Sequence, residues 1–416
     1  MKYHLTILVL IVFVGDAFPQ DGWILRESGT KEKLNSISSI DGQNVVAVGD
    51  NGVVVSSTDA GKTWEVEKSI QTPANSRNLN SVAAITDKIY CAVGPKDSIY
   101  RSTDRGHTWI GIRSRAKNDC KFIIPEIVFR ELRAIAYDTT NATCVAVGDR
   151  GEAIFSRDSG IHWYENLTKS IENLMSVSSY NGIPLSGAWY GGAFVSLDFG
   201  DTWNHEWVQK NVDLRGCDAQ GWIEVGQKGS IYHSPNRGFM WDSMDSHTKV
   251  DLNDVHFGND IRGHIVGDAG TIMNTTDGGY TWQTQTSPVS NNLRSVCMFD
   301  PFHGFICGEN GVILTTQNGG ILDKAVPLPQ TQNTIHNYPN PFSFKTIFEV
   351  PMVKHGSLRI KIYNLLGEEI ASLADGVFDS GLKTFEWDAS NAASGKYLCK
   401  VDTDGEITTL QITVEK

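Results

Sequence analysis

The chain has 416 residues, 40% hydrophobic and 20% charged, which suits one large globular domain with a small one beside it. Its formal net charge of −12 argues against a general nucleic-acid binder, whose phosphate contacts need clustered Lys and Arg, and against nonspecific adsorption to anionic membranes. The seven cysteines (Cys91, Cys120, Cys144, Cys217, Cys297, Cys307 and Cys399) include no CxxC pair, so zinc spacing is absent. Cys91, Cys144 and Cys307 lie in apolar runs and read as buried free thiols, with one disulfide left open.

At the N-terminus, Lys2 and His4 precede the apolar run 5–14, and Gly15-Asp16-Ala17 offers small residues at a cleavage site. The run is about ten residues, short of the ~20 that cross a bilayer. Residues 1–17 therefore read as a signal peptide. No Cys follows to carry a lipid, and no later stretch is long and apolar enough to span. The mature chain is expected outside the cytoplasm, without a transmembrane segment.

One pattern then recurs. VAVGDNGVVVSSTDAGKTW ends at Trp64, and related segments end at Trp109, Trp163, Trp203, Trp241 and Trp282, about 40 residues apart. A seventh copy ends at Gly320 without the Trp. The copies open on Leu34, Leu79, Leu132, Leu174, Leu214, Leu252 and Leu293. This period with short β-rich runs predicts an all-β, seven-bladed propeller over residues 21–323. In each copy the second strand ends at a tight turn such as Gly49-Asp50-Asn51-Gly52, where Gly and Asn suit a positive φ. The third strand leads into Ser-x-Asp-x-Gly-x-x-Trp.

These segments resemble the Asp-box, or BNR, motif. Its Asp and Trp positions are Asp59 and Trp64, Asp104 and Trp109, Asp158 and Trp163, Asp198 and Trp203, and Asp277 and Trp282. Asn236 precedes Trp241, and Asn318 stands in the copy that lacks Trp. The chemistry is structural: a short carboxylate or amide accepts backbone N–H bonds in a tight turn, and the Trp plugs the space between blades. A ring of separated acidic turns lacks the clustered ligand set of a calcium site, so no metal is expected. The whole repeat most resembles the Ycf48-like propellers, whose plant and cyanobacterial members assist photosystem II assembly.

Residues 22–28, with Trp23, copy the path that follows Trp64. Residues 23–28 are expected to supply the outer strand of the last blade, pairing with 310–317 and sealing the ring. A linker over 324–336 follows. Beyond it, YPNPF (Tyr338, Pro339, Asn340, Pro341, Phe342), IKIYNLLGEEI and WDASNAASGKYLCKV mark short strands, read as a small Ig-like β-sandwich over 337–416. Their wording resembles the C-terminal sorting domain of type IX secretion substrates. That resemblance implies engagement of the type IX machinery, then release or attachment at the outer-membrane surface.

Ligands of propellers usually sit on the face opposite the Asp-boxes. The strand 2–3 turns place Asp50, Asp149, Asp268 and Glu309 there, and the strand-1 starts place Arg133, Arg215 and Arg294 there. The insertion after Trp109, with Arg113, Arg115 and Lys117, falls on the same face. The acids read as turn chemistry and the arginines as rim solvation or partners of those acids. The sharper reading is a docking face for a protein or glycan, consistent with an envelope assembly or surface-interaction factor. No phosphate loop, nucleophile elbow or cofactor motif is present, so no catalytic residue or cofactor is expected. The alternative is a glycoside hydrolase or sialidase-like enzyme, since some Asp-box propellers are such enzymes. The Arg-Ile-Pro segment that sialidases carry is missing.

Overall fold

The computed structural model describes residues 22–67, 78–112, 130–165, 168–321, 335–338, 345–352, 355–365, 367–378 and 381–414. The signal-peptide reading, Arg113, Arg115, Lys117, Cys120, nearly all of 324–336, and residues 339–342 of YPNPF lie outside the described residues. The chain divides into two compact units, Met1–Asp323 and Lys324–Lys416.

Among the described residues, the first unit is built of seven four-stranded antiparallel sheets. Sheet one holds Leu34–Ser38, Val45–Gly49, Val54–Ser57 and Glu65–Val66. Sheets two to six open on Ser81–Ala84, Leu132–Asp138, Ser178–Tyr180, Leu214–Asp218 and Leu252–Phe257. The seventh joins Leu293–Met298, Gly304–Gly308 and Ile313–Thr316 to the N-terminal strand Ile24–Arg26. Its register is Ile24↔Thr315, Leu25↔Leu314 and Arg26↔Ile313, so the expected splice is present. Each opening strand touches the next sheet's opening strand, and the seventh touches the first. The sheets thus form a closed propeller-like ring.

The second strands explain their apolar composition. VVAVG, YCAVG and GFICG are buried along their whole length because both faces meet a neighbouring sheet. Gly49 closes its strand where a Cβ would lie 1.9 Å from the Lys33 carbonyl oxygen, so only glycine permits that approach. The Trp residues fill the seams. Trp109 packs on Val46 and Val48 of sheet one, and Trp23 packs on Val266 and Ile272 of sheet six. Trp23 therefore does for the seventh sheet what Trp109 does for the second.

Among the described residues, the opening strands have no strand partner on their inner edge. Side chains of the preceding sheet satisfy those N–H groups instead. Val82 N–H donates to Ser36 Oγ at 3.1 Å, Ile135 N–H to Ser81 Oγ at 3.2 Å, and Ala219 N–H to Ser178 Oγ at 3.1 Å. Phe257 N–H donates to Asp218 Oδ2 at 3.1 Å and Val296 N–H to Asp254 Oδ2 at 2.9 Å.

The second unit packs two antiparallel sheets on one apolar core. A three-stranded sheet runs His336–Tyr338, Lys345–Met352, Gly381–Asp388, and a four-stranded one runs Glu369–Phe378, Gly356–Asn364, Gly395–Thr403, Glu406–Val414. Phe348, Val350 and Trp387 from the first meet Leu358, Ile360, Cys399 and Val401 from the second. Among the described residues, no helix is long and apolar enough to cross a membrane.

Candidate functional site

Two faces of the ring carry chemistry of different kinds. On one, the Ser-x-Asp turns are self-contained. Asp59 Oδ1 accepts from Lys62 N–H at 3.0 Å, Thr63 N–H at 2.9 Å and Ser57 Oγ at 2.8 Å. Thr63 Oγ1 donates to Asp59 Oδ2 at 2.7 Å, and the Trp64 indole N–H donates to Gly61 O at 3.0 Å. Burial works against the Asp59 charge, but the bonds from Thr63, Ser57 and Lys62 outweigh it and hold the carboxyl below its usual range. Asp104, Asp158, Asp198 and Asp277 are lowered in the same way. At Asp158 the ring of His162 replaces the Thr hydroxyl, 2.6 Å from Oδ2.

The Asn variants keep the acceptor. Asn236 Oδ1 takes Met240 N–H at 2.7 Å. Asn318 Oδ1 takes Gly22 N–H at 3.3 Å while its amide donates to Ile321 O at 2.7 Å. An Asp there could not make the second bond. In each of the Asp turns both carboxylate oxygens bond to groups of the turn itself, which gives this face a structural rather than a ligand-binding chemistry.

The other face opens on a channel of about 310 Å³ down the middle of the ring. Its wall is the opening strands of all seven sheets, rich in Ser36, Ser38, Ser81, Ser178 and Ser295. At the mouth stand Asn35, Asn80, Arg133, Met175, Arg215, Asn253 and Arg294, each directly after its Leu. Register shifts fall at this position in sheets one, three, five, six and seven, so Asn35, Arg133, Arg215, Asn253 and Arg294 are bulge residues. A bulge re-aims the extra residue's side chain, which explains how a strand start supplies a pore-lining group.

The structure brings the expected arginines and acids together. Arg133 Nε meets Asp149 Oδ1 at 2.8 Å, and its Nη2 lies 3.4 Å from Glu131. Arg215 reaches Asp251 at 2.8 Å and donates to Asn253 Oδ1 at 3.1 Å. Arg294 pairs with Glu309 and lies 3.5 Å from Asp268. Asp50 receives Asn35 Nδ2 at 2.9 Å and Lys33 Nζ at 3.5 Å. The mouth is therefore a charge-balanced ring rather than a bare basic patch. The Arg294 side chain holds the Glu309 carboxyl below its usual range against the opposing effect of burial.

Deeper in, Asp254 is the single carboxyl among the described lining residues, and burial pushes it up to about 6 despite bonds from Val296 N–H and Ser295. His256 accepts Met298 N–H at its Nδ1 at 3.3 Å. Three features went unanticipated. Glu224 is fully buried with neither oxygen hydrogen-bonded. Glu152 is buried near Asp97. The mouth turn of sheet four is Trp189-Tyr190-Gly191, where other turns carry acids or amides. The last was visible on aligning the repeats, and the odd acid in Ile223–Gly226 was visible too. Tyr338 sits in the strand His336–Tyr338. All six described cysteines are free and buried.

A closed ring of four-stranded sheets around a polar channel defines a β-propeller, followed here by a separate β unit. Residues 233–333 match the family model described as photosynthesis system II assembly factor YCF48, and residues 336–415 match that of the secretion system C-terminal sorting domain. The chain thus resembles the Ycf48-like propellers and ends in a match to a sorting domain, and that domain indicates type IX export to the medium or the outer-membrane surface. Among solved structures, YCF48 bound to D1 peptide is similar at 20% identity and a TM-score of 0.58, covering 71% of this chain and 97% of that one. YCF48 from Cyanidioschyzon merolae is similar at 21% identity and a TM-score of 0.56, covering 71% and 99%. The RRP9 WD40 repeats are similar at 8% identity and a TM-score of 0.55, covering 71% and 97%. Identities this low speak for the fold alone. No curated protein matches the sequence.

Proposed function

We propose that this chain is an exported, non-catalytic, seven-bladed Asp-box propeller that binds a protein or glycan partner at the channel mouth. Residues 1–17 would be its signal peptide, 21–323 the propeller, 324–336 a linker and 337–416 an Ig-like sorting sandwich. An envelope assembly or surface-interaction role fits this layout. The observation that carries the reading is the bulge-borne ring of Arg133, Arg215 and Arg294, held by acids around an open polar channel. Side chains fixed in this way are preorganised to trade an internal carboxylate for a partner's. A solved structure named YCF48 bound to D1 peptide supports a peptide as one kind of occupant. Hydrolysis of a glycosidic bond commonly uses two facing carboxyls. Among the described residues the channel lining offers Asp254 alone, and the mouth carboxylates Asp149, Asp251 and Glu309 are each paired with an arginine, which favours binding.

The test is a cross-linking pull-down from the native envelope, comparing wild type with Arg133, Arg215 and Arg294 changed together to Met. Met is the residue that sheet four already carries at this position, Met175. Loss of a specific partner, with an unchanged melting transition, is the expected outcome. Undiminished partner recovery would sink the docking-face reading.

A further inference from the structure

Sheet four breaks the pattern of the mouth, and it breaks it in one chemical direction. Five mouth turns put their middle residue at positive φ: Asn51 at 57°, Arg150 at 56°, Lys228 at 57°, Ala269 at 54° and Asn310 at 57°. In sheet four that residue is Tyr190, at φ 63° with its side chain 59% exposed. A bulky aromatic in this region is strained, and here it gains no burial in return. The backbone is clamped to hold it: Asn211 N–H donates to Tyr190 O at 3.1 Å and Trp189 N–H to Asn173 O at 3.0 Å. Trp189 stands where Asp50, Asp149, Asp268 and Glu309 stand in other turns, and the Arg133 guanidinium lies 5.3 Å over its ring.

The aromatic character continues outward along the same sheet. Trp207 pairs with Gly192 at the mouth end of the outer strand and is 49% exposed. His205 props it edge-on at 4.9 Å, and Lys210 Nζ sits 5.7 Å from its ring centre. The flanking sheets supply charge. The turn tip of sheet three is Arg150 and that of sheet five is Lys228, and both expose cationic side chains with no ion pair among the described residues. The ring order therefore reads Arg150, Tyr190, Lys228 on successive tips, with Trp207 and Lys210 at the rim.

We propose that this arc binds a uronate-bearing polysaccharide strand, with sugar faces on Tyr190 and Trp207 and carboxylates on Arg150, Lys228 and Lys210. Aromatic rings exposed in a row suit the flat apolar faces of successive pyranoses. Single cations spaced on either side of an aromatic tip suit an anion that repeats along a strand, better than one concentrated charge. The inference rests on the mouth being the binding face and names the occupant's chemistry.

Isothermal titration of the secreted full chain with polygalacturonate, dextran and poly-glutamate tests it. Polygalacturonate should bind at least about tenfold more tightly than either comparator. Tyr190→Gly should weaken it about tenfold while the melting temperature holds or rises, because glycine relieves the positive φ. Arg150→Gln with Lys228→Gln should weaken binding and flatten its salt dependence. Equal binding of poly-glutamate would make the site a peptide surface and overturn the proposal. Equal binding of dextran, or unchanged affinity in Tyr190→Gly, would overturn it as well. If polygalacturonate fails to bind while the triple arginine variant still loses its envelope partner, this inference falls and the docking-face reading stands.

Discussion

At Asp198 one carboxylate closes a whole turn. Its Oδ1 takes Thr202 N–H at 2.7 Å and Ser196 Oγ at 2.8 Å, and its Oδ2 takes Thr202 Oγ1 at 2.6 Å. Asn236 and Asn318 show that an amide oxygen can accept the same kind of bond. Asp198→Ala should therefore cost about 1–2 kcal/mol, with Asp198→Asn costing less than half of that, in urea unfolding. Equal losses would show that the charge, not the acceptor, holds the turn. Glu224 poses the opposite case. Its carboxyl is buried between Cys217 and Tyr232 in the strand register, and a Cβ on Gly187 would lie 2.3 Å from Oε2. Burial pushes its pKa well above the ordinary value, so the folded protein holds it neutral. Glu224→Gln mimics that neutral form. It should raise the melting temperature at pH 8 and leave it nearly unchanged at pH 4, each kcal/mol recovered being worth roughly 2–4 °C.

Among the elements, the strand Ile24–Arg26 decides whether the ring is closed. It brings Trp23, whose indole donates to Gln285 Oε1 at 2.9 Å, and Gln285 Nε2 in turn donates to Gly319 O at 2.7 Å. His264 lies edge-on to Trp23 at 5.6 Å and its Nε2 is 3.0 Å from the same Gly319 carbonyl. Trp23→Ala should cost about 3–5 kcal/mol and make the segment 22–33 the first site cut in limited proteolysis. Cleavage elsewhere first would mean that the splice is not the weak seam. This closure was legible in the sequence because Trp23–Ser28 repeats the path after Trp64, and the repeat also placed the mouth arginines. The serine latches were not legible. Ser36, Ser81 and Ser178 look like ordinary strand residues until the inner edge of the next sheet is seen to need acceptors. Nor was the pairing of Arg215 with Asp251, because it crosses from one sheet to the next and only the ring geometry brings them together. The Tyr190 tip was written in the repeat, but its exposure and strain are properties of the folded turn.

For the whole propeller, the two kinds of carboxyl set opposite limbs of a stability–pH curve. Asp59, Asp104, Asp158, Asp198 and Asp277 have folded pKa values below the ordinary 3.8, since their hydrogen bonds outweigh burial. Their contribution is present above that value and is lost as the pH falls through the lowered ones. These turns are partly solvent-exposed, so that limb is shallow. Glu152, Asp254 and Glu224 are raised instead. Burial first, and then the Asp97 carboxylate, takes Glu152 to about 8, and burial takes Asp254 to about 6. A raised carboxyl gives its full contribution below its unfolded value, 4.5 for Glu152 and 3.8 for Asp254, and loses it as the pH climbs through the folded value. Burial pushes the His264 imidazole down to about 4, which opposes this trend between pH 4 and 6.5, so the net loss of stability should show between pH 6.5 and 8. Scanning calorimetry from pH 3 to 9 on the full chain, following the propeller transition, checks this. Glu152→Gln and Glu224→Gln should each flatten the alkaline limb and leave the acid limb in place. A melting temperature that stays level between pH 6.5 and 8 in the wild type would mean that Glu152 and Glu224 are charged in the folded ring.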